Sequence, residues 1–83
     1  MALRSREAAV MCWFPTGDKQ PIPVSMKFKD DDGEIVSVKE IQIKSTTTIM
    51  QGKEYSCESV IGGALRRFSL TFFAESCKWY LKI

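Results

Sequence analysis

The sequence predicts an all-β fold, an antiparallel meander of about six short strands that closes into a small SH3-like or OB-like barrel. Apolar and polar residues alternate with period two through most of the chain after residue 22, the pattern of strands with one buried face. Turn signals separate these runs at intervals of about 8 to 12 residues, which is typical of small barrels and sandwiches. A chain of 83 residues must also bury both flanks of its hydrophobic set, which disfavours a flat open sheet.

Length and composition indicate one folded domain. The chain is 45% hydrophobic and 27% charged, a balance typical of globular rather than disordered proteins. Domains far below about 50 residues are rare, and no segment has the composition of a linker, so we expect no second domain. We expect residues 11–83 to form the domain and residues 1–10, which precede the second methionine Met11, to form a flexible N-terminal arm.

The clearest predicted strand runs from Ile22 to Lys29, where apolar residues occupy every second position. The Asp32-Gly33 pair that follows predicts a hairpin turn, because both residue types tolerate positive φ. The next strand is predicted from Glu34 to about Ile43. Its apolar residues change parity between Lys39 and Glu40, so we expect a bulge or bend there.

Shorter patterns predict further strands. In the N-terminal region, Val10–Phe14 is compatible with a strand. Ser45–Met50 is rich in β-branched residues, which favour strands. The next strand contains Tyr55 and is expected to end at Gly62 and Gly63, where a Gly-Gly turn is predicted.

The last two strands can be paired residue by residue. Both must direct their apolar residues inward, and Ala74 with Glu75 would make a poor two-residue hairpin turn. We therefore expect a four-residue turn over residues 74–77. The predicted pairs are Phe72 with Trp79 and Leu70 with Leu81 on the inner face, and Phe73 with Lys78, Thr71 with Tyr80 and Ser69 with Lys82 on the outer face.

The outer face of this hairpin is the candidate binding face. Its aromatic and cationic residues lie on adjacent strands, a combination that can stack nucleic-acid bases and hold phosphates. Tyrosine, phenylalanine and arginine are also enriched in protein interfaces, and the same pattern occurs on ordinary solvated strands. The candidate residues are Arg67, Phe73, Lys78, Tyr80 and Lys82.

Charge and histidine content limit the classes of function. The net charge is +2, from 12 basic and 10 acidic residues, which is too small to indicate strong attraction to nucleic acid or a membrane. The chain has no histidine, so it lacks the commonest general base and the commonest metal ligand. We therefore expect no enzyme activity, no catalytic residue, no cofactor and no metal site.

The three cysteines, Cys12, Cys57 and Cys77, form no C-x-x-C pair, which disfavours a zinc site. A thiol nucleophile is also disfavoured, because the chain offers no histidine to act as its base. We expect three reduced thiols in a cytoplasmic protein, with Cys57 and Cys77 packed inward. The sequence shows no recognisable secretory signal and no stretch apolar enough to span a membrane.

Two loops carry alternative site hypotheses. The acidic run Asp30–Asp32 resembles part of a calcium loop, but the twelfth position from Asp30 is Ile41 rather than the glutamate that an EF-hand requires. An acidic hairpin tip is the favoured interpretation. Arg66 and Arg67, just beyond the Gly-Gly turn, could form a small anion-binding spot, although no phosphate-binding motif is present.

Short motifs are spread along the chain: Phe14-Pro15-Thr16-Gly17, Pro21, Asp32-Gly33, Cys57, Gly62 and Cys77-Lys78-Trp79-Tyr80-Leu81. Together they resemble a family of short bacterial proteins that are single all-β domains of unassigned function. The resemblance covers residues 11–83 and leaves the first ten residues outside it. It implies a bacterial, cytoplasmic, stand-alone domain, and it implies no activity and no site residues.

The sequence therefore favours a non-enzymatic binding or assembly module that acts through an exposed strand face or edge. The expected partner is another protein or a second copy of the chain, as in a homodimer. The alternative is a small barrel that binds nucleic acid weakly and without sequence preference through the candidate face. No membrane partner is expected.

Overall fold

The computed structural model describes residues 5–15 and 21–83. These residues confirm the all-β prediction, with seven strands rather than about six. All neighbouring strands are antiparallel in one sheet of order β3-β2-β1-β7-β6-β5-β4. Neither range contains a helix long and apolar enough to cross a membrane. The strands are β1 (Ser5–Trp13), β2 (Ile22–Lys29), β3 (Ile35–Val38), β4 (Gln42–Ile49), β5 (Gly52–Ile61), β6 (Ala64–Phe73) and β7 (Lys78–Lys82).

The middle of the sheet is formed by strands from opposite ends of the sequence. β1 lies between β2 and β7, and its ladder with β7 runs from Ser5 opposite Lys82 to Ala8 opposite Trp79. β3 and β4 then occupy the two ends of the strand order. No ladder joins β3 to β4 in the part of the chain that the structure describes, so the sheet is not closed and the predicted barrel closure is not confirmed.

The break between β3 and β4 corrects the prediction of one strand from Glu34 to Ile43. The chain bends where the parity change predicted it, and Glu40 has a left-handed φ of 56°. The amide of Ile41 still donates to the carbonyl of Val24 in β2, at 3.0 Å. The next residues pair with β5 instead, because the bend turns the chain from one end of the sheet to the other.

The N-terminal arm expected over residues 1–10 is corrected for residues 5–10, which belong to β1. Ala8 is buried in the core, opposite Trp79. The guanidinium of Arg6 donates to the carbonyl of Lys29 at 2.8 Å and to the carboxylate of Asp31 at 3.1 Å. These contacts hold β1 in the sheet, and the first four residues lie outside the described range.

One hydrophobic core fills the inner face of the sheet. Tyr55 and Phe72 flank the indole of Trp79, with ring centroids 5.6 and 4.9 Å from it. The hydroxyl of Tyr55 donates to the carbonyl of Pro21, just before β2, so the sheet curls until β5 faces the start of β2 across the core. The buried hydrophobic residues are Ala8, Met26, Phe28, Val38, Tyr55, Cys57, Phe68, Leu70, Phe72, Trp79 and Leu81.

The hairpins that flank β6 follow the predicted turn chemistry. Gly62 and Gly63 both have positive φ, at 61° and 82°, as a two-residue primed turn requires. The β6–β7 turn has four residues, and all five predicted pairs of this hairpin are confirmed. The inward placement of Cys77 is wrong: this residue ends the turn at a φ of 54°, which takes it out of the strand alternation and leaves it exposed.

Candidate functional site

Side chains on the outer face of the sheet form rows that cross the strands. The pairing of β1, β7, β6, β5 and β4 sets these rows, since directly opposite residues share a face. One row is Glu7, Tyr80, Thr71, Glu54 and Thr47. The next, closer to the β6–β7 turn, is Lys78, Phe73, Gly52 and Ile49.

Small residues in the middle of these rows create a depression, which we call the outer depression. Thr71 and Gly52 lie between the rings of Tyr80 and Phe73 on one side and the side chains of Glu54 and Ile49 on the other. The outer depression has a volume of about 570 Å³, which is within the range of side-chain and small-ligand sites. Its lining residues are Ser5, Ile49, Gln51, Glu54, Thr71, Phe73, Glu75, Ser76, Tyr80 and Lys82.

The glycine at position 52 is required by the approach of β5 to β6. A Cβ at this position would overlap the carbonyl oxygen of Phe72, a backbone atom that cannot turn aside. A residue with a side chain at this position would therefore disrupt the pairing of β5 with β6 opposite Phe73.

Two aromatic rings form one wall of the outer depression. The centroids of Phe73 and Tyr80 are 5.5 Å apart and their planes meet at 77°, an edge-to-face arrangement. Such pairs contribute about 0.5–1.5 kcal/mol beyond the area they bury. Both rings are half-buried, so they are held by each other and still offer surface to a partner.

Charged groups of both signs surround the rings. Glu54, Glu75 and Lys82 line the outer depression. Within residues 5–15 and 21–83, no ion pair engages Glu54 or Glu75. Four residues along β5 on the same face, Glu58 instead contacts the ammonium of Lys44 at 3.8 Å and the guanidinium of Arg67 at 3.4 Å.

Three of the five predicted site residues line the outer depression, and the other two lie outside its lining. Phe73, Tyr80 and Lys82 line the outer depression together. Lys78 is opposite Phe73 and lies beside the site rather than in its lining. Arg67 is outside it, because β7 ends opposite Ser69, and its side chain is 89% exposed and bonded to Glu58.

The contribution of β4 and β5 to the site is not predicted by the sequence patterns, which pair only the last two strands. Glu54 and Ile49 are therefore absent from the predicted site, and Thr71 is predicted only as a paired outer-face residue. A signal was available for Glu54, since the inward parity of Tyr55 and Cys57 makes Glu54 face outward. The placement of Ile49 needs the register of β4 on β5, which is shifted by a bulge between Ile43 and Ser45.

The acidic loop has a structural role in the fold. One carboxylate oxygen of Asp30 accepts the backbone N–H groups of Asp32 and Glu34, each at 2.9 Å, and so closes the β2–β3 turn. Asp31 pairs with Arg6 at 3.1 Å. No group of three or more cysteine, aspartate or glutamate side chains in the described ranges could hold a metal ion.

The thiols differ strongly in their surroundings, although all three are unpaired cysteines. Burial raises the pKa of Cys57 to about 12, against a lowering contribution from the backbone of Leu70. Burial also raises the pKa of the half-buried Cys12. A thiol with a raised pKa is a poor nucleophile, so the geometry offers no activated cysteine at these two positions.

A second exposed apolar group lies on β1, away from the outer depression. Met11 and Trp13 share the outer face of this strand and are 69% and 63% exposed, and Phe14 follows them. Phe14 also lines a cavity of about 430 Å³, together with Glu7, Cys12, Cys77, Lys78 and Trp79, whereas Met11 and Trp13 are not in its lining.

Comparison of the chain with protein-family models, with curated proteins and with solved structures finds no match.

Proposed function

We propose that this domain is a non-enzymatic protein-binding module that takes an extended segment of a partner protein in the outer depression. The observation that carries the proposal is the Phe73–Tyr80 pair, which faces Ile49 across a concave surface rimmed by charges of both signs. An apolar and aromatic centre with a polar rim is the usual anatomy of a protein interface. A volume of about 570 Å³ suits one or two side chains of a peptide.

In this proposal the curled sheet acts as a small SH3-like or OB-like barrel that holds the binding face rigid. One short connection and two hydrogen bonds at the open seam support it. The connection from β3 to β4 has only three residues, the amide of Ile41 bonds to Val24, and the hydroxyl of Ser59 donates to the carbonyl of Lys39 at 2.9 Å. A rigid face reduces the conformational entropy lost on binding.

The nucleic-acid alternative has weaker support. Tyr80 is flanked by carboxylates in its own row, with Glu7 on one side and Glu54 two strands away on the other. The guanidinium of Arg67 is already engaged by Glu58. Binding to phosphates depends on free cations, and carboxylates close to a stacking ring oppose it.

Self-association through β4 is a second candidate, which a separate observation favours. β4 is the last strand in the sheet order, and within the described ranges no strand pairs with its outer edge. The segment Ser45–Ile49 has no charged residue and no proline, the features that normally block edge pairing. A homodimer formed by pairing two β4 strands predicts a mass that rises with concentration in sedimentation equilibrium, whereas a constant monomer mass rules it out.

The binding proposal is tested by selecting peptides from a random dodecamer library on the folded domain and locating them by amide NMR. We expect selected peptides to shift the amides of residues 52–54, 69–73 and 78–82. Tyr80→Ala should weaken their binding by at least about tenfold, since truncation of a central interface aromatic costs about 2 kcal/mol or more.

The matched control is Trp13→Ala, which removes an exposed aromatic residue from a different part of the sheet. We expect this variant to bind the selected peptides like the wild type. Peptides that map to β1, or that bind Tyr80→Ala with unchanged affinity, would show that the outer depression is not the binding site.

A further inference from the structure

We infer that the outer depression selects a basic side chain, lysine or arginine, from the partner segment. This inference rests on the proposed function, and it adds the chemistry of the residue that the site receives. It depends on three features of the lining: an excess of carboxylates among the described residues, an aromatic wall, and a carboxylate that forms no ion pair within residues 5–15 and 21–83.

The first feature is the balance of charge inside the site. Among the lining residues that the structure describes, the ionisable carboxylates are those of Glu54 and Glu75, and the ammonium is that of Lys82. Lys82 belongs to the row of Ser5 and Ser69, one row away from Tyr80 and on the side opposite the β6–β7 turn. Two carboxylates therefore face one ammonium in the described lining, and Lys78, in the row of Phe73, lies beside the site rather than in it. The space above Thr71, next to Glu54, is acidic and attracts a cation.

The second feature is the spacing between the aromatic wall and Glu54. Tyr80 and Glu54 lie in one row with Thr71 between them, so their backbones are about 10 Å apart at the usual strand separation. A cation above Thr71 is then within reach of both the carboxylate and the ring. An ammonium or guanidinium close to an aromatic face is attracted by the negative face of the ring.

The methylene stem of such a side chain also finds apolar contacts. Phe73 and Ile49 stand on either side of Gly52 in the adjacent row, and Phe73 packs edge-on against Tyr80. Lysine and arginine commonly lay their stems on apolar surface and keep the charged head near polar groups. The site matches both halves of such a side chain.

The third feature is the contrast between Glu54 and Glu58 on the same strand and face. Glu58 is already held by Lys44 and Arg67, while no ion pair in the described ranges involves Glu54. The neighbouring Lys53 has the opposite parity and has an interaction of its own. Glu54 is a half-buried residue, so an incoming cation would meet a charge in a site that is only partly open to water.

The experiment compares three capped heptapeptides of sequence Thr-Val-Thr-Xaa-Thr-Val-Thr, in which Xaa is lysine, norleucine or glutamate. Each is titrated into the labelled domain and followed by amide NMR. We expect the lysine peptide to shift the amides of Glu54, Thr71 and Tyr80, and to bind about three- to tenfold more tightly than the norleucine peptide. The glutamate peptide should bind more weakly than both.

Two substitutions distinguish a local site from the general field of the domain. Glu54→Gln should bring the affinity for the lysine peptide down to that for the norleucine peptide. Glu58→Gln removes the same charge from the same strand, but from a carboxylate that is already paired, and should leave the preference for lysine unchanged.

Each contrary result has its own meaning. Equal binding of the norleucine and lysine peptides at these amides overturns the preference for a basic residue and leaves the binding module intact. An equal loss in Glu54→Gln and Glu58→Gln overturns the local site, since only overall charge would then matter. If the lysine peptide shifts none of these amides, the inference is wrong, and the binding module is decided by the library selection alone.

Discussion

The two faces of the β6–β7 hairpin carry similar residues in very different surroundings. On the inner face, Leu70 and Leu81 are opposite each other and fully buried, beside the Phe72–Trp79 pair. On the outer face, Phe73 and Tyr80 form another aromatic pair only one residue away along each strand, yet they are half-buried.

If the proposed function holds, this difference separates stability from recognition within one hairpin. The inner rings pack in the buried core against residues of β5 and β1, so their substitution must disturb the fold. The outer rings contact each other directly and form one wall of a concave surface that is open to solvent. One hairpin can therefore supply the core with one face and a partner surface with the other, because alternate residues of a strand point to opposite sides.

Thiol reactivity gives the largest expected difference between the inside and the outside of the sheet. At pH 8, a pKa of about 12 leaves Cys57 with about a thousandfold less thiolate than a thiol at the ordinary pKa of 9.0. We expect maleimide to modify Cys77, which is exposed in the turn, and to leave Cys57 intact in the native protein. Mass spectrometry of peptides after timed labelling measures both, and rapid modification of Cys57 would contradict its burial.

Truncation of Leu81 gives the largest expected loss of stability on the inner face. Leu81→Ala should lower the free energy of unfolding by about 3 kcal/mol, because it removes transfer energy and leaves a cavity against Leu70. Urea denaturation measures the change. The adjacent Lys82→Ala, on the outer face, is the control and should change stability by less than about 0.5 kcal/mol.

Loss of a buried hydroxyl should have an intermediate effect. Tyr55→Phe removes the donor to the carbonyl of Pro21, and both groups are buried. We expect a destabilisation of about 1–2 kcal/mol in the same denaturation assay, since a buried acceptor is left without this donor. An unchanged midpoint would mean that this contact contributes nothing to holding β2 against β5.

The smallest effect on stability is expected at the outer ring. Tyr80→Ala removes the edge-to-face contact with Phe73 and should cost about 1 kcal/mol or less. The same variant should lose peptide binding, as proposed above. A loss of stability as large as that of Leu81→Ala would show that the two faces of the hairpin are not separate in function.

The pairing of two strands could be predicted from the sequence where the strands are neighbours in the chain and pack against one core. In the last hairpin, the parity of Phe72 and Trp79 and the poor turn chemistry of Ala74 with Glu75 leave a single register, which the structure confirms. The Gly62 and Gly63 turn was predictable for the same reason, because its chemistry is local.

The order of the strands in the sheet could not be predicted from the alternation of apolar and polar residues. This alternation indicates which residues face the core, but it does not indicate which strands are neighbours in the sheet. The central place of β1 and the division of the chain at Glu40 depend on long-range contacts, such as Ala8 opposite Trp79 and Ile41 bonded to Val24. The binding face was therefore predicted only for β6 and β7, without Glu54 on β5.

The β1–β7 ladder has a consequence for the rate of folding. It joins residues about 70 positions apart along the chain, while every other ladder of the sheet links consecutive strands. Strands β1–β3 and strands β4–β7 can each assemble through contacts between consecutive strands, but the seven-stranded sheet is complete only when β1 pairs with β7. The chain loses loop-closure entropy when this contact forms, before packing of the core compensates for that loss. We therefore expect folding on the millisecond-to-second timescale of β-proteins with high contact order.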